Sequence, residues 1–188
     1  MRDNERRAEL TAQASLWVFE NGLHGLALRP LAKALGTSDR MLLYYFSSKD
    51  DLLESIVSGI SAAMIAELPA ADAKTPTVLR WLTAVWGRFT EPSLRPALNL
   101  LFELDAMALR GDPAAVKAAR GITEAWTSNV AKALAQYGVP TAKRASLAEL
   151  ASSAFVGLLL NHFLRERAIA PKTALADLAR LIEASCLP

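Results

Sequence analysis

The chain has 188 residues, of which 52% are hydrophobic and 21% are charged, and its formal net charge is +2. This composition excludes a disordered chain, and the length suits one large domain or a small domain joined to a larger one. The weak net charge means that a polyanionic partner has to be argued from where the cations lie. The charged N-terminus lacks the apolar segment of a secretory signal, so we expect a cytoplasmic protein.

Apolar residues recur at helical spacing and no segment alternates with period two, which predicts an all-α fold of about nine helices. The first helix carries Leu10, Ala14, Trp17 and Val18 on one face. Ser38 is a typical N-cap for the third helix, as is Ser48 for the fourth. The first four helices are predicted at about Asn4 to Glu20, Arg29 to Leu35, Ser38 to Tyr45 and Lys49 to Leu68.

Five further helices are predicted after a loop rich in Ala, Pro and Asp. They begin near Thr75-Pro76, Pro92-Ser93, Pro113, Thr141 and Thr173, and the last two end near Arg167 and Cys186. The apolar run from Ala154 to Leu164 is too short for a bilayer, which needs about 20 residues, so we expect a buried helix and no membrane partner.

The segment LRPLAKALGTSDRMLLYYF has the form of a helix-turn-helix, in which the second helix enters the major groove of DNA. Gly36 supplies the turn between the two helices. The residues expected to face inward are Leu31, Ala32, Leu35, Leu42 and Phe46. Outward on the second helix are Ser38, Asp39, Arg40, Met41 and Tyr44, which are able to contact base edges and phosphates.

The run from Arg29 through Gly36-Thr37-Ser38, Tyr44-Tyr45-Phe46 and Ser47-Ser48-Lys49-Asp50 resembles the N-terminal domain of the tetracycline-repressor-like (TetR) family. The match covers about Arg7 to Leu53. Leu43 stands where the family usually has Tyr, Tyr45 where it has His, and Ala27 where a Thr caps the second helix.

The resemblance implies phosphate contacts from Tyr45, and from Lys49 together with the first amides of the fourth helix. Asp39 has an alternative role as a helix cap, and Arg2, Arg6 and Arg7 are candidates for a flexible arm on the DNA. The expected DNA-binding residues are Arg29, Thr37, Ser38, Asp39, Arg40, Met41, Tyr44, Tyr45 and Lys49.

By the same resemblance, residues 1–48 form the DNA-binding domain and residues 49–188 an effector-binding and dimerisation domain, connected by the helix from about 49 to 68. The chain is then a repressor that binds a palindromic operator as a homodimer and is released by an unidentified small molecule. Expected effector contacts are Trp81, Trp86, Phe89, Phe102, Glu103, Trp126, Phe155 and His162. Expected dimer contacts are Leu147, Ala151, Ala154, Leu158, Leu175, Leu178 and Ile182.

Two other classes of function are alternatives to this interpretation. The sequence has few candidate catalytic residues, because its histidines are only His24 and His162, its one cysteine is Cys186, and it has no metal-binding or phosphate-binding motif. No cofactor or metal is therefore expected. The second alternative is a helical small-molecule-binding or interaction protein with a vestigial DNA reader, which Leu43 and the weak basicity of the first 50 residues leave open.

Overall fold

The computed structural model describes residues 2–72, 74–165 and 171–185, without the side chains of Arg2 and Pro171. The predicted helix ends at Arg167 and Cys186 lie outside these residues. Within them the chain is all-α, as predicted, with nine α-helices and one short 3-10 helix, Pro92–Leu94. The helices are α1 Arg2–Asn21, α2 Leu28–Ala34, α3 Asp39–Tyr45, α4 Lys49–Ala66, α5 Val78–Phe89, α6 Arg95–Leu109, α7 Pro113–Gln136, α8 Thr141–Leu164 and α9 Pro171–Ala184.

Polar side chains at the helix starts explain several of these boundaries. The Ser38 hydroxyl accepts from the Met41 amide at 3.2 Å, and the Ser48 hydroxyl accepts from the Asp51 amide at 3.0 Å. Asp112 accepts from the Ala115 amide at 2.9 Å, before Pro113 begins α7. Each cap satisfies an amide that has no partner within its helix. The caps expected at Ser38 and Ser48 are confirmed.

The start of α5 differs from the sequence prediction. The helix begins at Val78, because the Thr77 hydroxyl accepts from the Arg80 amide at 3.2 Å and so caps the first turn. Thr75-Pro76 stays outside the helix, and the Thr75 hydroxyl instead donates to the Ala70 carbonyl at 2.7 Å.

The first compact unit comprises the chain up to Ala66 together with Arg95–Thr123. In it α1 packs against α4 and α6, and α2 packs against α3. Its core contains Leu10, Ala14, Val18, Leu31, Leu42, Phe46, Leu52 and Ile56, all at most 1% exposed. Trp17, expected in this core, is only half-buried. On the outside, Lys117 contacts Glu54 at 2.7 Å, and this carboxylate raises the pKa of Lys117.

The second compact unit comprises Glu67–Leu94 and the chain from Glu124 onward. In it α9 packs against α5 and α8. The Trp81 indole donates to the Pro69 carbonyl at 3.1 Å, and the Tyr137 hydroxyl donates to the Thr75 carbonyl at 2.7 Å. Burial raises the pKa of Tyr137. The two units group the helices by packing, and the predicted functional boundary after residue 48 stays a prediction.

Candidate nucleic-acid interface and ligand site

The turn between α2 and α3 is built by Gly36, which has a φ of +64°. The Gly36 amide donates to the Lys33 carbonyl at 3.3 Å, and the Thr37 amide donates to the Ala32 carbonyl at 2.9 Å. This pair of hydrogen bonds is the Schellman motif, which ends a helix through a left-handed residue. The turn delivers the chain directly to the Ser38 cap, so α3 starts at a defined orientation.

One face of α3 is exposed to solvent. Leu42 is fully buried, whereas Met41, Leu43 and Tyr44 are 41%, 44% and 65% exposed. Arg40 and Ser38 are also exposed, and Asp39, Tyr45 and Thr37 are half-buried. At 100° per residue Arg40, Met41, Leu43 and Tyr44 all lie on the side of α3 opposite Leu42. Sequence reasoning missed Leu43 as a member of this face.

The start of α4 presents Lys49, whose side chain is exposed, as is that of Arg29 at the start of α2. Two amides in this turn have partners within the chain, since the Ser47 amide donates to Asp51 at 3.0 Å and the Asp51 amide to Ser48. The first turn of α4 also carries two carboxylates, Asp50 and Asp51. A phosphate at this site therefore depends on the Lys49 ammonium group more than on the helix N-terminus.

Arg7 is not part of a flexible arm, because α1 is helical from Arg2 and the Arg7 side chain is bound within the chain. Its Nη2 donates to Asp51 at 2.7 Å and to Ser55 at 2.9 Å, and its guanidinium carbon lies 5.1 Å from the centre of the Phe46 ring. Arg6 contacts Glu9 at 2.6 Å. Arg7 thus connects α1 to the α3–α4 turn, a role that sequence reasoning missed because Asp51 and Ser55 are 44 and 48 positions from Arg7.

Six rings of the second unit form an aromatic cluster: Trp86, Phe89, Trp126, Phe155, His162 and Phe163. Phe155 is central, with its ring centre 5.7 Å from that of Trp86, 5.4 Å from that of Phe89 and 5.8 Å from that of Trp126. His162 contacts Trp86 at 5.5 Å and Phe163 at 5.3 Å. Five of the predicted effector contacts therefore lie together, and Phe163 joins them.

The other three predicted effector contacts have different surroundings. Trp81 donates its indole proton to the Pro69 carbonyl and lies beside Tyr137. Glu103 belongs to the first unit, where it accepts from the amides of Leu23 at 3.0 Å and His24 at 2.8 Å. Glu103 thereby holds the turn after α1, and its assignment as an effector contact stays a prediction. Phe102, its neighbour on α6, also belongs to the first unit.

The two long sides of α8 differ in exposure. Ala148, Ala151, Ser152, Phe155 and Leu159 are buried on one side. Leu150, Val156, Leu160 and Leu164 are between 40% and 73% exposed, and at 100° per residue they lie within roughly a third of the circumference on the opposite side. We call these four residues the α8 stripe. By length and composition α8 could also cross a membrane, but helices of soluble proteins pass the same test, so this is weak evidence.

Four of the predicted dimer contacts are buried within their own unit: Ala151, Leu175, Leu178 and Ile182. These side chains pack inside their own unit in the single chain, and their assignment to the dimer stays a prediction. Leu147, Ala154 and Leu158 are half-buried, at the margin between the two sides of α8.

Comparison with known proteins is informative for the N-terminal segment and for the fold. Residues 13–56 match the family model described as bacterial regulatory proteins, tetR family. A solved structure from Rhodococcus sp., assigned to the TetR family of transcriptional regulators, superposes with a TM-score of 0.73 at 21% identity, covering 100% of both chains. The multidrug binding protein EbrR, complexed with imidazole, superposes with a TM-score of 0.71 at 22% identity, covering 94% of this chain and 89% of its own. A transcriptional regulator from Pseudomonas aeruginosa PAO1 gives 0.66 at 16% identity, covering 96% and 91%. No curated protein sequence matches the chain.

Proposed function

We propose that this chain, which belongs to the tetR family of bacterial regulatory proteins by its residues 13–56, regulates transcription by binding double-stranded DNA through α3. The observation that carries this proposal is the exposed face of α3, which follows the Gly36 turn and presents Arg40, Met41 and Tyr44. In a helix-turn-helix the second helix reads base edges in the major groove. Arg40 is suited to guanine, and Met41 and Leu43 to thymine methyl groups.

Contacts to phosphates position this helix. Lys49, Arg29, Tyr44 and Tyr45 are the groups we assign to the DNA backbone, with Thr37 and Ser38 at the start of α3, where Asp39 favours a capping role. Only three exposed cations lie at these positions: Arg29, Arg40 and Lys49. Because non-specific affinity scales with the number of phosphates neutralised, one such domain binds weakly, and two copies are needed for tight binding.

The α8 stripe is the surface that we assign to the second copy. It is apolar and exposed in the single chain, and Leu147, Ala154 and Leu158 extend it at one margin. A two-fold pair of chains places two α3 helices on successive major grooves, about 34 Å apart, and requires a palindromic operator.

The aromatic cluster is the site that we assign to a small-molecule effector. EbrR, which shares the fold, is described as a multidrug binding protein. An effector releases the DNA if it binds the conformation with the wrong spacing of the two α3 helices more tightly than the DNA-binding one. Repression relieved by the effector is the resulting mode of regulation.

DNA binding is tested by selecting bound sites from a random duplex pool with the full chain. We expect a palindrome with half-site centres about 10 base pairs apart. Arg40→Ala should relax the preference at one or two positions of each half-site, whereas Lys49→Ala should weaken binding to all sequences and reduce the salt slope by about 1. Lys132→Ala, which removes an exposed cation from α7, is the charge-matched control and should change neither.

Selection of no sequence at low salt would overturn the proposal in favour of a protein with a vestigial reader. The dimer is tested separately by light scattering. Leu160→Arg places a charge in the α8 stripe and should give monomers, whereas Leu79→Arg, at an exposed leucine of α5, should leave the dimer intact. A dimeric Leu160→Arg variant would show that the stripe is not the interface.

A further inference from the structure

We propose that the effector is an uncharged aromatic compound whose oxygen accepts a hydrogen bond from the indole nitrogen of Trp126. This inference rests on the proposed effector site and adds the chemistry that the aromatic cluster recognises. Its basis is a difference between two tryptophans of the second unit.

The Trp81 indole nitrogen donates to the Pro69 carbonyl at 3.1 Å. The Trp126 indole nitrogen is buried and has no hydrogen-bond partner among the residues that the structure describes. An indole N–H is only a donor, and a buried donor without a partner is costly. The group that completes Trp126 must therefore bring an acceptor atom.

The rings around Trp126 define the rest of the compound. Phe89 and Phe155 contact the Trp126 ring at centre distances of 5.4 Å and 5.8 Å. Both are buried, whereas Trp126 and His162 are half-buried and form the rim of the cluster. The Phe89–Trp126 contact is edge-to-face and the Trp126–Phe155 contact is tilted, and an incoming aromatic ring extends this packing, because such pairs are favourable beyond their buried area.

The charges near the cluster select an uncharged acceptor. Arg88, on the helix that carries Trp86 and Phe89, pairs with Glu67 and Glu91. Within the described part of the chain, Nδ1 of His162 is the second buried nitrogen of the cluster without a partner, and it either donates or accepts, depending on the tautomer. The Arg88 guanidinium is already paired with two carboxylates, so a ligand carboxylate would lose its hydration without finding a free partner there, and a ketone, ester or ether oxygen fits better.

The test uses three probes of similar size: acetophenone, which carries a neutral acceptor; ethylbenzene, which carries none; and benzoate, which is charged. Each is titrated into the full chain labelled with nitrogen-15, and the indole N–H signals of the four tryptophans are followed by NMR. Replacement of each tryptophan by Phe assigns its signal. We expect acetophenone to move the Trp126 indole proton downfield and to leave that of Trp81 in place.

Affinity provides the second readout. Acetophenone should bind about tenfold more tightly than ethylbenzene, and also more tightly than benzoate. In Trp126→Phe this preference should fall to within about twofold, with the ethylbenzene affinity retained. Trp81→Phe is the matched control and should keep the tenfold preference. Thermal unfolding checks that Trp126→Phe is folded, because the smaller ring loses part of the packing against Phe89 and Phe155 while an unpaired donor is removed.

Three results would overturn the inference: equal affinities for acetophenone and ethylbenzene, tighter binding of benzoate, or a preference that survives in Trp126→Phe. Failure of all three probes to bind a chain that still selects DNA would also overturn it, while leaving the regulatory function standing. Loss of DNA selection with the acetophenone preference intact would instead overturn the regulatory function alone.

Discussion

Arg7 provides the sharpest test of how the N-terminal helices are held together. The sequence suggests an arm that follows DNA, whereas the structure binds Arg7 to Asp51, Ser55 and the Phe46 ring. Arg7→Met keeps the length of the side chain and removes its charge and hydrogen bonds. The two roles predict different results for stability and for the salt dependence of DNA binding.

The expected loss of stability follows from three contacts. The side chains of Arg7 and Asp51 are 41% and 30% exposed, so solvent screening reduces their ion pair to about 0.5–1 kcal/mol. The contact with Phe46 adds about 0.5–1 kcal/mol, and the hydrogen bond to Ser55 about 0.5 kcal/mol. A total of about 2 kcal/mol lowers the Tm of a chain of this size by about 4–8 °C.

The assay is thermal unfolding followed by circular dichroism at one protein concentration, together with DNA binding between about 50 and 200 mM salt. Arg7→Met should lower the Tm and leave the salt slope unchanged. Arg6→Met removes a cation that pairs with Glu9 on the same helix and should shift the Tm by no more than about 2 °C. An Arg7→Met variant with an unchanged Tm and a salt slope reduced by about 1 would refute the connecting role and support the alternative, in which Arg7 contacts DNA as part of an arm.

Three further changes probe other parts of the chain. Tyr137→Phe removes the donor to the Thr75 carbonyl, which should cost about 1 kcal/mol at pH 7. Because burial raises the pKa of Tyr137, this contribution is present below the unfolded value near 10 and is lost as the pH rises through the folded pKa. The free energy of unfolding is measured with denaturant for Tyr137→Phe and for the natural chain. The same difference between them at pH 8 and at pH 11 would contradict this expectation. Gly36→Ala should lower the free energy of unfolding by about 1–2 kcal/mol. The positive φ alone causes this loss, because an added Cβ meets nothing within 4 Å. A denaturation midpoint equal to that of the natural chain would contradict this expectation. Glu103→Gln leaves one carbonyl oxygen to accept from two backbone amides. Hydrogen exchange at the amide of Leu23 or His24 should therefore accelerate. Unchanged protection of both amides would contradict the role of the carboxylate.

Local chemistry explains which parts of this architecture were predictable. The α2–α3 turn follows from Gly36 and Ser38, whose conformational and capping preferences act within a few residues. The missing cap at Ala27 was also visible in the sequence, and no side-chain hydrogen bond closes the start of α2. The all-α class follows from the spacing of apolar residues.

Contacts between distant segments were not predictable in the same way. In the sequence, nothing distinguishes Glu103 from other polar residues near apolar ones. Its role becomes visible only in the folded chain, where it accepts hydrogen bonds from two amides of the α1–α2 turn. Similarly, α8 is apolar on most sides, so the sequence does not distinguish the residues that α8 buries in its own unit from the α8 stripe. Only tertiary packing decides which side of an evenly apolar helix stays uncovered.

The proposed role of the α8 stripe also has a consequence for how the chain responds to its own abundance. With the stripe as the contact between two copies, the amount of dimer below the dissociation constant grows with the square of the monomer concentration. A twofold change in expression then changes the DNA-binding species about fourfold. For the dimeric DNA-binding protein that we propose, small changes in the synthesis of this chain would thereby be converted into larger changes in operator occupancy.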